Sequence, residues 1–157
     1  MADSLTRALP TEADTLAFGA ALARAMPMHA SRALQIALRG ELGAGKTTLV
    51  RGFLREWGVQ GAVRSPSYAL LELYELDGRR ALHLDLYRLL DPEEVQTLGL
   101  RDYDAPATVW LIEWPERAAG ALATPDLSIA LEAGPAGHRA VLVARSAEGQ
   151  VWMRSIE

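Results

Sequence analysis

The stretch Ala33-Leu34-Gln35-Ile36-Ala37-Leu38-Arg39-Gly40-Glu41-Leu42-Gly43-Ala44-Gly45-Lys46-Thr47-Thr48-Leu49-Val50 decides how this chain reads. Residues 33–38 form an apolar run of strand length that feeds Gly40. Lys46 to Trp57 read as a helix that stops at Gly58. Between them, Gly40 to Thr47 matches Gly-x4-Gly-Lys-Ser/Thr, a loop whose backbone N–H groups cradle phosphate. Lys46 is also the sole lysine of a 157-residue chain in which every other basic side chain is arginine. A compact ammonium and a planar guanidinium differ most beside a phosphate. Composition and motif therefore point to one chemistry, the binding of nucleotide phosphates.

Working outward, the pattern is that of an α/β domain. Residues 3–9 read as a short strand. Thr11 caps a helix with Asp14 three residues on, and that helix ends near Met26-Pro27. Tyr68 to Leu76 and Arg80 to Tyr87 read as strands joined at Asp77-Gly78, a hairpin signal. Asp91-Pro92-Glu93-Glu94 opens a short helix that Gly99 ends. Thr108 to Trp114 is a strongly apolar, central strand. Three further strands are expected at 127–132, 140–144 and 151–156, joined by Gly-rich turns at 134–137 and 147–149. The fold expected is P-loop NTPase-like, with a mixed, mostly parallel sheet flanked by helices, in a single domain over residues 1–157.

Composition narrows the class. Half of the residues are hydrophobic, enough for a packed core, yet no apolar run reaches membrane-spanning length. The beginning, Met1 to Leu5, lacks the basic-then-apolar pattern of a secretory signal. Cysteine is absent, which excludes disulfides and thiolate metal sites and accords with a cytoplasmic protein. A net charge of -4 argues against a broad nucleic-acid groove, so no DNA contact is expected.

In the loop, the N–H groups of residues 43–48 are expected to point inward, with Gly43 and Gly45 permitting close approach. The candidate nucleotide ligands are Gly43, Ala44, Gly45, Lys46, Thr47 and Thr48. Lys46 would bridge phosphate oxygens and the Thr47 hydroxyl would ligate Mg²⁺. An ATPase of this kind needs an acid at the end of a neighbouring apolar strand. Val109-Trp110-Leu111-Ile112-Glu113 supplies one, and Ala81-Leu82-His83-Leu84-Asp85 a second. Strand alternation puts His83 on the face of Asp85, where it reads as a core residue or a support for the acids rather than a base. Ser65 and Ser67, in Arg64-Ser65-Pro66-Ser67-Tyr68, hold the position of a loop that senses phosphate, or of an ordinary turn. The chain has no asparagine, so the Asn-Lys-x-Asp guanine motif is absent, and no Asp-x-x-Gly follows the loop. ATP is the expected nucleotide.

Together these pieces resemble the TsaE (YjeE) family, small bacterial ATPases of tRNA threonylcarbamoyladenosine modification. The matching residues are Leu9-Pro10-x-Glu12, Gly40 to Thr48, Ser65 to Tyr68, His83 to Leu89, Asp91 to Glu94, Gly99 to Tyr103 and Leu111 to Pro115. Two departures are conservative: Ser67 stands where the family usually has Thr, and Glu41 where Asp is common. The resemblance implies ATP and Mg²⁺ in the loop, with Thr47 and Glu113 near the metal, Asp85 as the strand-end acid, and Lys46, Asp85 and Glu113 as the catalytic set. It also implies that Glu12 and the turn at Gly137 lie near the nucleotide. The implied partners are TsaD and TsaB, with tRNA reached only through that complex and with weak activity alone. The competing reading is a small-molecule kinase. The segment available for a phosphate-covering lid, roughly 88–106, is short and its helix begins with acids.

Overall fold

The computed structural model describes residues 3–66 and 68–156. Its strands are β1 (Ser4–Leu9), β2 (Leu34–Arg39), β3 (Leu71–Leu76), β4 (Arg79–Asp85), β5 (Thr108–Glu113), β6 (Leu127–Gly134) and β7 (Gly137–Ala144). Its α-helices are α1 (Glu12–Ala25), α2 (Lys46–Glu56) and α3 (Ala147–Ser155). One sheet holds all seven strands in the order β1-β7-β6-β2-β5-β4-β3. The central ladders β6–β2, β2–β5 and β5–β4 are parallel, and antiparallel pairs close both sides. Followed through those ladders, β1, β6, β2, β5 and β4 run one way and only β7 and β3 run against them, so the sheet is mixed and mostly parallel.

Burial explains the layers. Leu34, Ile36 and Leu38 of β2 and Val109 and Leu111 of β5 pack in one core with Phe18, Leu22, Leu49, Phe53 and Trp152 from the three α-helices. Leu82, Leu84, Trp110 and Ile112 point the other way, into a second core covered by Leu89, Val95 and Ala118. Those covering residues belong to or adjoin the 3₁₀ segments Pro92–Leu98 and Pro115–Ala118. No helix among the described residues is long and apolar enough to cross a membrane.

Local chemistry sets the element ends. Thr11 and Asp14 form a reciprocal capping box at the start of α1, as the sequence predicts. Asp77-Gly78 makes the tight turn, with Leu76 paired to Arg79 and Gly78 at φ 76°. The segment from Asp91 forms a 3₁₀ helix rather than an α-helix, with Asp91 capping and Gly99 ending it. Residues 68–70 lie in a turn instead of extending β3, and Leu70 adopts φ 68°.

One expected element is different in kind. The strand expected over 151–156, with its turn at 147–149, is part of the helix α3. Ser146 caps that helix by accepting from the Gly149 N–H at 2.9 Å. Trp152 and Met153 are adjacent and both buried. A strand would send them to opposite faces, whereas a helix turns both toward the core. Gly149 is inside the helix because a methyl there would collide with the Asp126 carbonyl oxygen.

Asp126 ties this end of the molecule together. Its carboxylate accepts from Arg32 at 2.7 and 3.1 Å, from the Gln35 N–H at 2.8 Å and from the Ser146 hydroxyl at 2.6 Å. Burial alone would raise its pKa, but these hydrogen bonds outweigh burial and hold the carboxyl below its ordinary value. A depressed folded pKa contributes stability that is complete above the unfolded value, about 4, and is lost as pH falls through the folded value. Asp126→Asn is therefore expected to flatten the acid limb of stability against pH in urea titrations. An unchanged acid limb would contradict this role.

The helix α2 is held tightly against α1. A methyl at Gly19 would strike the Leu49 carbonyl oxygen, and one at Gly52 the Leu16 carbonyl oxygen. Both obstacles are backbone, so the helices would have to separate. Gly52→Ala is expected to lose about 1–3 kcal/mol of stability by overpacking, despite the better helix propensity of alanine. A variant as stable as the parent in urea unfolding would contradict this packing.

Candidate functional site at the strand ends

The parallel strands deliver three chemistries to one line. In register across the sheet, Leu38 of β2 lies beside Glu113 of β5, which lies beside Asp85 of β4. The loop Gly40–Gly45 leaves β2 at this level and returns as α2. Ligand sites in open α/β sheets lie outside these carboxyl ends.

The loop is built to expose N–H groups. Gly43 and Gly45 have φ of 81° and 104°, left-handed values that favour glycine. Gly45 stands at the N-cap of α2, and no side chain caps that helix. The other two α-helices are capped by Thr11 and Ser146. No backbone carbonyl among the described residues accepts from the N–H of Gly43, Gly45, Lys46, Thr47 or Thr48. Ala44 differs from expectation: its N–H turns inside the loop to the Glu41 carbonyl at 3.0 Å. Free N–H groups at the positive end of a helix are an anion site.

Lys46 is only 5% exposed. It donates to the carbonyl oxygen of Gly40 and, at 3.0 Å, to that of Glu41, and it lies 4.1 Å from the centre of the Trp114 ring. Burial lowers its pKa, against the opposing pull of Glu113, Glu116, Asp85 and Glu41.

Glu113, 2% exposed, meets the Thr47 hydroxyl at 3.0 Å from each carboxylate oxygen. His83 Nε2 lies 2.6 Å from its Oε2. Asp85 is engaged separately: Oδ1 accepts from the Tyr87 N–H at 3.0 Å, and Oδ2 from the Ser65 hydroxyl. Ser65 thus faces the acids, as one of its two readings expects, while Ser67 lies outside the described residues.

Gly43, Gly45, Lys46, Thr47, Thr48, Ser65, Asp85 and Glu113 line one cavity of about 380 Å³. A second cavity, about 330 Å³, lies across the loop and shares Gly43, Gly45 and Thr48 with the first. Glu12 and Gly137 line it together, brought there by the pairing of Leu9 with His138 across β1 and β7. The candidate residues therefore occupy two cavities joined by one loop, with Ala44 buried beneath it.

Several lining residues have no site role in the sequence reading. Tyr87, Arg88 and Trp114 flank the first cavity, and Thr15 and His138 the second. Their positions just beyond the acids Asp85 and Glu113 are the available signal for the first three. His138 carries none, because only strand pairing brings it to the loop.

The residues fit an anion and a hard cation side by side. The N–H cradle and Lys46 suit phosphate oxygens. The Thr47 hydroxyl, Glu113 and Asp85 suit Mg²⁺, which is held by one or two carboxylates and otherwise by water and phosphate.

Comparison with known proteins gives the family of the chain. The sequence model of "Threonylcarbamoyl adenosine biosynthesis protein TsaE" matches residues 9–141. The tRNA threonylcarbamoyladenosine biosynthesis protein TsaE of Haemophilus influenzae is 44% identical over 131 residues, which span 83% of each chain. The corresponding protein of Synechocystis is 38% identical over 113 residues, 69% of each chain. The crystal structure of Bacillus subtilis YdiB shares the fold, with a TM-score of 0.79 over 99% of this chain and 95% of that one, at 24% identity. The chain belongs to the TsaE family.

Proposed function

We propose that this member of the TsaE family is a Mg²⁺-dependent ATPase of tRNA N6-threonylcarbamoyladenosine biosynthesis, whose turnover resets or regulates a complex of TsaD and TsaB in the cytoplasm. The observation that carries the reading is the meeting of an uncapped N–H cradle and a buried Lys46 with the Thr47–Glu113 pair. Family membership supplies the pathway, and relatives named for threonylcarbamoyladenosine biosynthesis support it.

In this reading the loop N–H groups and Lys46 hold the phosphates, and Thr47 and Glu113 hold the metal. Asp85, steadied by Ser65, faces the same cavity from the next strand. The nucleoside end belongs to the second cavity, beside Glu12 and Gly137. When bound, Mg²⁺ offsets the charge that develops as water cleaves the terminal anhydride to give ADP and phosphate. Lys46 has to leave the Gly40 and Glu41 carbonyls to reach a phosphate, a short move for a flexible side chain. Turnover by the isolated chain is expected to be weak, because in this reading the reaction serves partners.

Phosphate release from ATP, measured with the chain alone and with TsaB and TsaD added, tests the assignment. Turnover that rises with the partners is expected. Phosphate appearing only on a small metabolite would replace the reading with a kinase. Lys46→Ala is expected to weaken MgATP binding roughly 10- to 100-fold, the value of a charge-assisted hydrogen bond or two. Lys46→Arg is expected to fail as well, because a planar fork does not replace a point charge. Unchanged affinity in Lys46→Ala would remove the loop from the account.

Glu113→Ala should depress Mg²⁺-dependent turnover more than nucleotide affinity, read from metal titrations at saturating ATP. Should metal dependence survive in Glu113→Ala and vanish in Asp85→Ala, the main ligand would be Asp85.

A further inference from the structure

His83 is fully buried, yet it is a polar residue with one partner. Its Nε2 lies 2.6 Å from Glu113 Oε2, and its Nδ1 is buried with no hydrogen-bond partner among the described residues. It sits on β4 two residues before Asp85, on the sheet face that carries Ala81 and Asp85, opposite Leu82 and Leu84. It does not line the cavity that Lys46, Thr47 and Asp85 share. An imidazole so enclosed cannot reach an attacking water or a phosphate, so it is not a base.

The geometry points to a different role. We infer that His83 is a positioning residue that donates its Nε2–H to Glu113 Oε2 and leaves Oε1 to serve the metal beside Thr47. The inference rests on the ATPase reading.

Two arguments support it. An Nε2–H form satisfies the buried carboxylate and leaves only an acceptor unpaired at Nδ1. The other tautomer would set a lone pair against the carboxylate and orphan an N–H in the core. An unpaired donor is the costlier fault, so the enclosure selects the tautomer. Secondly, Thr47 reaches both oxygens of Glu113 at 3.0 Å. A Thr47 hydroxyl that ligates a cation through a lone pair has a single O–H left for Glu113, which by itself does not fix the orientation of the carboxylate. His83 is then the second donor and keeps the carboxylate oriented. Groups that orient metal ligands in this way typically alter metal affinity or activity 10- to 100-fold when removed.

The test uses the full chain in three forms: the parent, His83→Leu and His83→Gln. Glutamine carries its amide nitrogen about where Nε2 lies, whereas leucine keeps bulk and removes the donor. Long-range ¹H–¹⁵N spectra of histidine-labelled parent protein are expected to show His83 protonated at Nε2 and bare at Nδ1. Calorimetry of ATP binding across a Mg²⁺ series gives the second readout. His83→Leu should raise the half-saturating Mg²⁺ concentration roughly 10- to 100-fold. Its metal-free ATP affinity should stay at the parent value, and His83→Gln should recover most of the metal dependence.

A bare Nε2 would overturn the inference, as would a His83→Leu variant with parental Mg²⁺ dependence. A folded His83→Gln as impaired as His83→Leu would also overturn it, since bulk rather than the donor would then matter. If the parent bound no MgATP, the ATPase reading would fall on its own. The spectra would still decide whether His83 holds Glu113.

Discussion

A carboxylate almost wholly removed from water must be held by its neighbours, and Glu113 is held from two sides. The Thr47 hydroxyl comes from the first turn of α2 and His83 from the adjacent strand β4. That arrangement needs β2, β4 and β5 in parallel register, because only then do the loop, the acid and its support end at one level. It also needs α2 close to the sheet, which the packing of Leu49 and Phe53 in one core with Ile36 and Leu38 secures. The core is in this sense arranged around a polar cluster at its upper edge. Burying Glu113 without Thr47 and His83 would cost several kcal/mol.

The cavity that Glu113 lines also carries the opposite charge of Lys46. Lys46 is occupied by loop carbonyls and the Trp114 ring, and burial lowers its pKa. In the proposed site a phosphate would take the place of those carbonyls. The isolated lysine of this composition is therefore more than a loop ligand. In the proposed ATPase it is the group whose partners change when nucleotide arrives.

Much of this was legible in the sequence for identifiable reasons. The strand, loop and helix around Gly40 to Thr47 follow from an apolar run, fixed glycines and a helical pattern, all local. Thr11 with Asp14, and Asp77-Gly78, are local signals too. Asp85 and Glu113 stood out because each ends an apolar strand. What escaped was either non-local or ambiguous in period. Val151 to Ile156 read as a strand, and only the Ser146 cap and the joint burial of Trp152 and Met153 reveal the helix. The second cavity depends on β1 meeting β7, a contact across almost the whole chain that no spacing announces. Glu12 and Gly137 came from family resemblance, and His138 from neither source. The role of His83 needed a distance.

The most direct measurement is a crystal structure of the full chain with Mg²⁺ and a non-hydrolysable ATP analogue. The account predicts the phosphates on the free N–H groups of Gly43 and of Gly45 to Thr48, with Lys46 moved from the Gly40 and Glu41 carbonyls onto them. It places the metal between the Thr47 hydroxyl and Glu113, with His83 still on Oε2. Nucleotide bound away from the loop, or Lys46 unmoved with the analogue in place, would contradict it.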